Sequence, residues 1–221
     1  MNLINALRTC LLTACLSTSA AGFASTGPES LTADPDSWKF RVYLNDKEIG
    51  YHHFYRTQQG DTEQIDITAE FKVKFLFVTA FSYRHDNTEV WQDSCLASID
   101  SRTLTNGDEE SVSGTLEASG LRIETADVAT RASGCVRTFA YWDRDLLSAP
   151  QLLNSQTGRL VPVEVETLNP RSIPYRGDEI EALPYRLTGG DLDLEVFYVG
   201  DRWVGLESTV EGGRKLRYEL I

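Results

Sequence analysis

Apolar and polar residues alternate along most of this chain with the two-residue period of β-strands. The first run has apolar side chains at every second position, namely Trp38, Phe40, Val42 and Leu44. This alternation predicts a strand with one buried face. Polar residues 45–48 predict a turn and residues 49–57 predict the returning strand, so we expect the folded part to begin with a β-hairpin.

The same pattern continues to the end of the chain. Asn106-Gly107 is the strongest hairpin signal, polar residues 86–88 predict a bend, and residues 170–177, which contain two prolines, predict a loop. Further strands are expected over residues 64–78, 81–91, 96–104, 112–116, 121–125, 160–168, 182–187, 192–199, 203–210 and 214–221. We therefore predict a mainly β, single-domain protein of roughly ten to twelve strands with one or two short helices, built as a curved antiparallel sheet or open barrel.

One stretch, residues 135–158, interrupts the alternation. It contains an aromatic run, then Asp143, which is placed to cap a short helix, and Pro150, which limits the length of that helix. A break of this kind in a strand-rich chain is where we look first for a binding site. The candidate ligand-binding residues are Phe139, Tyr141, Trp142, Leu146, Leu147 and Gln156.

The first 24 residues have the composition of a secretory signal peptide. Arg8 precedes a short apolar run over residues 11–16, and small residues follow it. That run is too short for a membrane span, which needs about 20 apolar residues, and no later segment is long enough. We predict cleavage after Ala24, a flexible lead-in over residues 25–36 and a single β-rich domain over residues 37–221.

These features predict a periplasmic protein without a transmembrane segment in the mature chain. An alternative is that Leu12-Thr13-Ala14-Cys15 acts as a lipobox, which would make the protein a lipoprotein anchored through Cys15. The short apolar stretch before Cys15 favours ordinary cleavage.

The chain is acidic. Its formal net charge is −12, and loss of Arg8 with the signal peptide changes this to −13. Binding a polyanion requires clustered Lys and Arg residues, and the sequence has no such cluster, so we expect no nucleic-acid partner.

Two cysteines, Cys95 and Cys135, remain after signal cleavage. In an oxidising compartment we expect them to form a disulfide. Closing a loop of about 40 residues would stabilise the protein by about 4 kcal/mol in the chain-entropy model. The same pairing would leave no thiolate for catalysis or metal binding.

Recognised catalytic and metal motifs are absent from the sequence. His52 and His53 are adjacent in a strand, so they should point to opposite faces and cannot readily share a metal. No Gly-x-Ser-x-Gly motif occurs. We therefore assign no catalytic residue, no metal ligand and no cofactor, and regard enzymatic activity as uncertain. One alternative remains, in which Asp143 and Asp145 beside Trp142 act as paired carboxylates in a hydrolase or carbohydrate-active enzyme.

Aromatic residues are concentrated between residues 71 and 91. They either form a dense core against the leucines of residues 146–153 or leave an apolar cavity for a lipid-like ligand.

Several short segments occur in a specific order, namely residues 38–44, 49–52, 106–107, 135, 138–142, 152–158 and 213–220. Together they resemble an uncharacterised family of exported proteobacterial proteins that share a domain of unknown function. A looser, architectural similarity is to the periplasmic lipoprotein carriers, whose curved antiparallel sheets cradle helices. The resemblance implies a periplasmic β-rich domain and implies no activity.

The leading functional hypothesis is an exported, non-enzymatic envelope protein that binds an apolar or lipid-like ligand, or an envelope protein partner, near residues 138–158. The alternatives are the carboxylate-dependent enzyme and a purely structural interaction module of the envelope.

Overall fold

A computed structural model describes residues 34–75 and 78–221. The predicted signal peptide, Cys15 and most of the predicted lead-in lie outside the described residues. The described strands are β1 (Ser37–Leu44), β2 (Lys47–Gln59), β3 (Thr62–Phe75), β4 (Val78–Gln92), β5 (Cys95–Thr105), β6 (Asp108–Glu117), β7 (Gly120–Thr125), β8 (Ala129–Ala132), β9 (Gln151–Leu153), β10 (Leu160–Pro162), β11 (Glu164–Thr167), β12 (Arg171–Tyr175), β13 (Asp178–Gly189), β14 (Leu192–Val199), β15 (Arg202–Val210) and β16 (Arg214–Leu220). Two short 3-10 helices cover Arg144–Ser148 and Glu211–Gly213.

Fourteen of these strands form one antiparallel sheet. Its order is β11-β13-β14-β15-β16-β1-β2-β3-β4-β5-β6-β7-β8, with β12 attached to β13 off this path. The two ends of the path do not pair with each other, so the sheet is open. The predicted mainly β fold with an open, curved sheet is confirmed. The predicted number of strands was too low, because short strands such as β8 and β9 give little alternation to detect.

The hairpins predicted from local sequence are present. β1 and β2 pair with Val42 opposite Gly50. Asn106 and Gly107 both have positive φ angles, 55° and 98°, as the two-residue turn that suits the twist of a hairpin requires.

Two local predictions were wrong. Residues 86–88 form no bend, because β4 runs without interruption through them. Residues 171–175 are not a loop but strand β12, which pairs with β13. Pro174 is tolerated there because β12 is an edge strand, and an edge strand can lack one backbone donor.

Most buried side chains lie on one face of the sheet, here called the inner face. Aromatic rings fill one end of it. The distance between ring centroids is 4.3 Å for Phe40 and Trp203 and 5.7 Å for Phe54 and Trp142. Trp142 and Trp91 pack edge-on with their ring centroids 6.1 Å apart. Tilted and edge-on pairs at these distances are the favourable arrangements of aromatic rings.

Residues 133–163, here called the inserted segment, follow β8 and contain the first 3-10 helix, β9 and β10. The segment packs against both ends of the open sheet. At one end a Cβ on Gly158 would lie 2.7 Å from Thr125 of β7, and at the other a Cβ on Gly189 of β13 would lie 1.9 Å from the carbonyl oxygen of Pro162. Only glycine allows these close approaches.

The predicted disulfide is present. Cys95 and Cys135 are bonded, with their Cα atoms 5.1 Å apart. Next to it, the Leu96 amide donates a 2.9 Å hydrogen bond to the carbonyl of Val136. The start of the inserted segment is therefore fixed to the start of β5.

None of the helices in the described residues is long and apolar enough to cross a membrane.

Candidate ligand-binding cavity

A cavity of about 610 Å³ lies between the inner face of the sheet and the inserted segment. This volume is within the range of small-molecule sites, roughly 300–1,000 Å³. Strands from both halves of the sheet contribute to its wall, including β2, β4, β14 and β16. Its lining combines apolar side chains, such as Phe54, Ile67, Leu194 and Leu206, with a row of polar ones.

The polar row comes from β4. Because side chains alternate across a strand, the odd-numbered residues of β4 share the inner face. Tyr83, His85, Asn87 and Glu89 all line the cavity. The last three are almost fully buried. A buried polar row of this kind costs stability unless each group has a hydrogen-bond partner.

Glu89 receives three hydrogen bonds. Its Oε1 accepts one from Asn87 at 2.9 Å, and its Oε2 accepts one from the Trp91 indole and one from the Thr138 hydroxyl, both at 3.0 Å. Burial raises the pKa of Glu89 to about 7, although these three bonds act to lower it. The carboxyl is therefore about half protonated at neutral pH, and it links β4 to the inserted segment.

His85 and Ser101 attach the turn at residues 154–157 to the sheet. The Nδ1 of His85 is 2.9 Å from the Thr103 hydroxyl, and its Nε2 is 3.4 Å from the Ser155 hydroxyl. Ser101 donates to the Ser155 carbonyl at 2.6 Å. Burial lowers the pKa of His85 to about 4, so the ring is neutral at neutral pH.

His52 stands on the neighbouring part of the wall. It lies opposite Ala69, and Ala69 lies opposite His85, so the two histidines are at the same level with one strand between them. The Nδ1 of His52 is 3.2 Å from the hydroxyl of Tyr218. Burial lowers the pKa of His52 well below its ordinary value, which keeps this ring neutral too.

Two polar atoms in this wall have no hydrogen-bond partner. They are Nε2 of His52 and Oδ1 of Asn87, and both are buried. The great majority of buried polar side-chain atoms in proteins are hydrogen bonded. Two such atoms in the wall of one cavity indicate a place where another molecule can complete the bonding.

The phenols in the wall stay uncharged. Burial raises the pKa of Tyr83, Tyr141 and Tyr218 above the ordinary tyrosine range. The lining also includes Arg159 and Asp191, but both are exposed. Among the described lining residues, the interior of the cavity thus has polar groups and no charged side chain apart from the partly protonated Glu89.

The structure separates the six residues predicted to bind a ligand. Phe139, Tyr141 and Gln156 line the cavity. Trp142 and Leu147 instead line a second depression of about 660 Å³, which is rich in charged side chains. Leu146 is fully buried in the core.

The acidic residues of the alternative enzyme hypothesis lie in that second depression. Asp143 caps the 3-10 helix through a 3.0 Å bond from the Asp145 amide, as predicted. Its other oxygen accepts a 2.5 Å bond from Arg137, which also reaches Asp145 at 3.4 Å. Asp143 and Asp145 therefore both form an ion pair with Arg137.

Sequence reasoning did not find His52, Asn87, Glu89 or Tyr218 as site residues. The sequence of β4 could have indicated a polar site, because His85, Asn87 and Glu89 occupy successive inward positions of the strand. Tyr83 and Trp91 lie on the same face. No group of three or more His, Cys, Asp or Glu side chains suited to a metal ion occurs in the described part of the chain.

Fold and disulfide together define a barrel-like open-sheet domain. Residues 40–221 match the family described as Domain of unknown function (DUF6134). The chain belongs to this family, which confirms the predicted resemblance to a family without assigned activity. No curated protein matches the chain.

One solved structure with a similar fold is the "Beta-barrel-like Protein of Domain of Unknown Function DUF1849 from Brucella abortus". The TM-score is 0.61, the sequence identity is 9%, and the match covers 84% of this chain and 94% of that one. At this identity the similarity shows the fold alone. The disulfide is compatible with an extracytoplasmic protein.

Proposed function

We propose that this protein is an exported, periplasmic binding protein that holds a small amphipathic, lipid-like molecule in the cavity between its sheet and its inserted segment. The observation that supports this most directly is the cavity itself, which is lined by both apolar and hydrogen-bonding side chains. Such a mixed wall fits a ligand that has an apolar body and a polar end.

The inserted segment supports a holding role. It forms one wall of the cavity, and hydrogen bonds fix it at separate points on the sheet. Thr138 bonds to Glu89, Ser155 accepts from Ser101, and the Tyr198 hydroxyl donates to the Tyr141 carbonyl at 2.8 Å. A ligand in the cavity would contact the sheet and the segment together.

Export is proposed from the signal-like residues 1–24 and from the disulfide, since disulfides persist in oxidising compartments. The described wall of the cavity has no hydroxyl–histidine–carboxylate triad, so binding without chemistry is the simpler proposal. His85, the only ring close to a serine hydroxyl there, has Thr103 rather than a carboxylate on its other nitrogen.

The experiment is native mass spectrometry of protein purified from its native host without detergent. We expect the wild type to retain a small molecule. Leu216 lines the cavity, and the Leu216→Trp variant should lose that molecule because the larger ring occupies its space. Leu116 of β6 is 45% exposed and does not line the cavity, so Leu116→Trp is the matched control and should retain it. A ligand-free wild type, or equal retention by both variants, would contradict the proposal.

A further inference from the structure

The chemistry of the two unpartnered atoms limits what kind of ligand can enter. Asn87 lies on the inner face of β4 with 4% of its surface exposed. Its Nδ2 donates to Glu89, while its Oδ1 has no partner. A buried carbonyl oxygen without a donor has lost its hydration without replacement, so a ligand that donates to it gains affinity.

Asn87 can also present a donor. When Glu89 is protonated, its O–H can donate to Oδ1 of Asn87 after a half-turn of the amide, which turns the Nδ2 group towards the cavity. The group that Asn87 offers to a ligand is therefore an acceptor or a donor according to the proton on Glu89.

His52 has the same two-way character. A neutral imidazole has one N–H and one bare nitrogen. If the Tyr218 hydroxyl donates to Nδ1, then Nε2 bears the hydrogen and donates into the cavity. If Nδ1 donates to the Tyr218 oxygen, then Nε2 accepts. The distance of 3.2 Å fits both arrangements.

The interior also disfavours charged groups. His52 and His85 are neutral, and the three phenols of the wall are neutral. Apart from the buried Glu89, the charged residues of the described lining, Arg159 and Asp191, are exposed and so can remain hydrated. A carboxylate or phosphate placed beside Asn87 would lose its water without gaining an opposite charge, and an ammonium would gain one only by displacing the proton of the neighbouring Glu89.

Resting on the proposed function, we infer that the buried end of the ligand is an uncharged group that both donates and accepts hydrogen bonds, such as an alcohol or a carboxamide, and that this end lies between His52 and Asn87. An alcohol or amide satisfies both residues in either of their states. A ketone or ether satisfies them only when both residues present donors, since it only accepts.

The test compares four unbranched probes of twelve carbon atoms that differ at the end group: 1-dodecanol, dodecanamide, dodecanoate and dodecylammonium. Binding to the wild-type protein is measured by isothermal titration calorimetry at pH 6, where Glu89 is mostly protonated and both cavity histidines are neutral. We expect the alcohol and the amide to bind at least about tenfold more tightly than either charged probe. Dodecanoate must take up a proton to enter the cavity.

Adjacent histidines supply a matched pair of variants. His52→Phe keeps the ring that stacks on Phe54 at 4.3 Å but removes Nε2, and should weaken dodecanamide binding about five- to tenfold. His53 points to the opposite face, so His53→Phe should leave the affinity unchanged. If His52→Phe folds poorly, Asn87→Leu is a second, independent variant, and it should weaken dodecanamide binding by the same factor.

The possible outcomes separate the two proposals. Absence of binding by all four probes contradicts the proposed function. Binding of dodecanoate or dodecylammonium as tightly as dodecanamide contradicts the present inference alone, and so does an equal effect of His52→Phe and His53→Phe.

Discussion

Thr138 donates a 3.0 Å hydrogen bond to the carboxyl group of Glu89, and both side chains are buried. The two residues are 49 positions apart in sequence. This bond joins the inserted segment to β4 beside the cavity, so the protonation of Glu89 affects both stability and the shape of the wall.

We expect Glu89 to make the protein less stable as the pH rises through about 7. Its pKa is raised from 4.5 to about 7 by burial. The folded state therefore binds this proton more tightly than the unfolded state, and the resulting stabilisation is complete below pH 4.5 and lost above pH 7. Glu89→Gln removes this dependence, so the difference in unfolding free energy between variant and wild type should change by roughly 3 kcal/mol between pH 5 and 9.

Urea titrations across that pH range measure the difference. His52 and His85 act in the opposite direction, since their lowered pKa values cost stability as the pH falls below their ordinary value, but they are the same in both proteins and cancel. Glu164→Gln, at an exposed position of β11, is the control and should leave the profile of the wild type unchanged. Parallel profiles for Glu89→Gln and wild type would show that Glu89 is not the group responsible.

Ser101→Ala should loosen the turn at residues 154–157. The Ser101 hydroxyl donates to the Ser155 carbonyl, and loss of this bond should cost about 1 kcal/mol. Amide hydrogen exchange is the measurement, and the Gly158 amide, which donates to Asn154 at 2.9 Å, should exchange faster. Ser113→Ala, exposed on β6, should change neither stability nor exchange. Unchanged protection of Gly158 in Ser101→Ala would mean that other contacts hold the turn.

Leu146 and Leu147 are neighbours with different roles. Leu146 is fully buried, so Leu146→Ala should lower the unfolding free energy by about 2–5 kcal/mol. Leu147 is partly exposed in the second depression, so Leu147→Ala should cost less than about 1 kcal/mol. Chemical denaturation of the two variants checks this, and similar losses in both would contradict the assignment of Leu146 to the core.

Removing the disulfide by Cys95→Ala with Cys135→Ala should destabilise the protein by about 4 kcal/mol, because the bond closes a loop of 40 positions. Denaturation midpoints with and without reductant provide the measurement. Reductant should lower the midpoint of the wild type and leave that of the double variant unchanged, and a wild type insensitive to full reduction would contradict the expected contribution.

The strands could be predicted from the local alternation of apolar and polar residues. Which of their side chains lie on the inner face, and how the strands pair in register, could not. Polar residues 86–88 resembled a bend because local sequence does not distinguish a turn from the outer face of a strand. In the fold, Asp86 pairs with Arg84 at 2.8 Å and Thr88 donates to Asp66 at 2.8 Å, both beside the strand and away from the cavity. Asn87 between them faces inward.

The candidate site was predicted only in part. Residues 138–158 interrupt the pattern, and Phe139, Tyr141 and Gln156 from this stretch line the cavity. Two other groups of the lining, His52 and Glu89, come from strands far away in sequence. Which distant strands line the cavity together depends on the curvature of the open sheet around the inserted segment, for which a single sequence contains no direct signal.

The most direct test of the central claim is a crystal structure of the protein purified from its native host without detergent. We predict continuous electron density for a small molecule in the cavity, with one end within hydrogen-bond distance of His52 Nε2 and Asn87 and the other extending along the apolar wall towards Leu216. A cavity that contains only ordered water, or one that side chains have filled, would contradict the account.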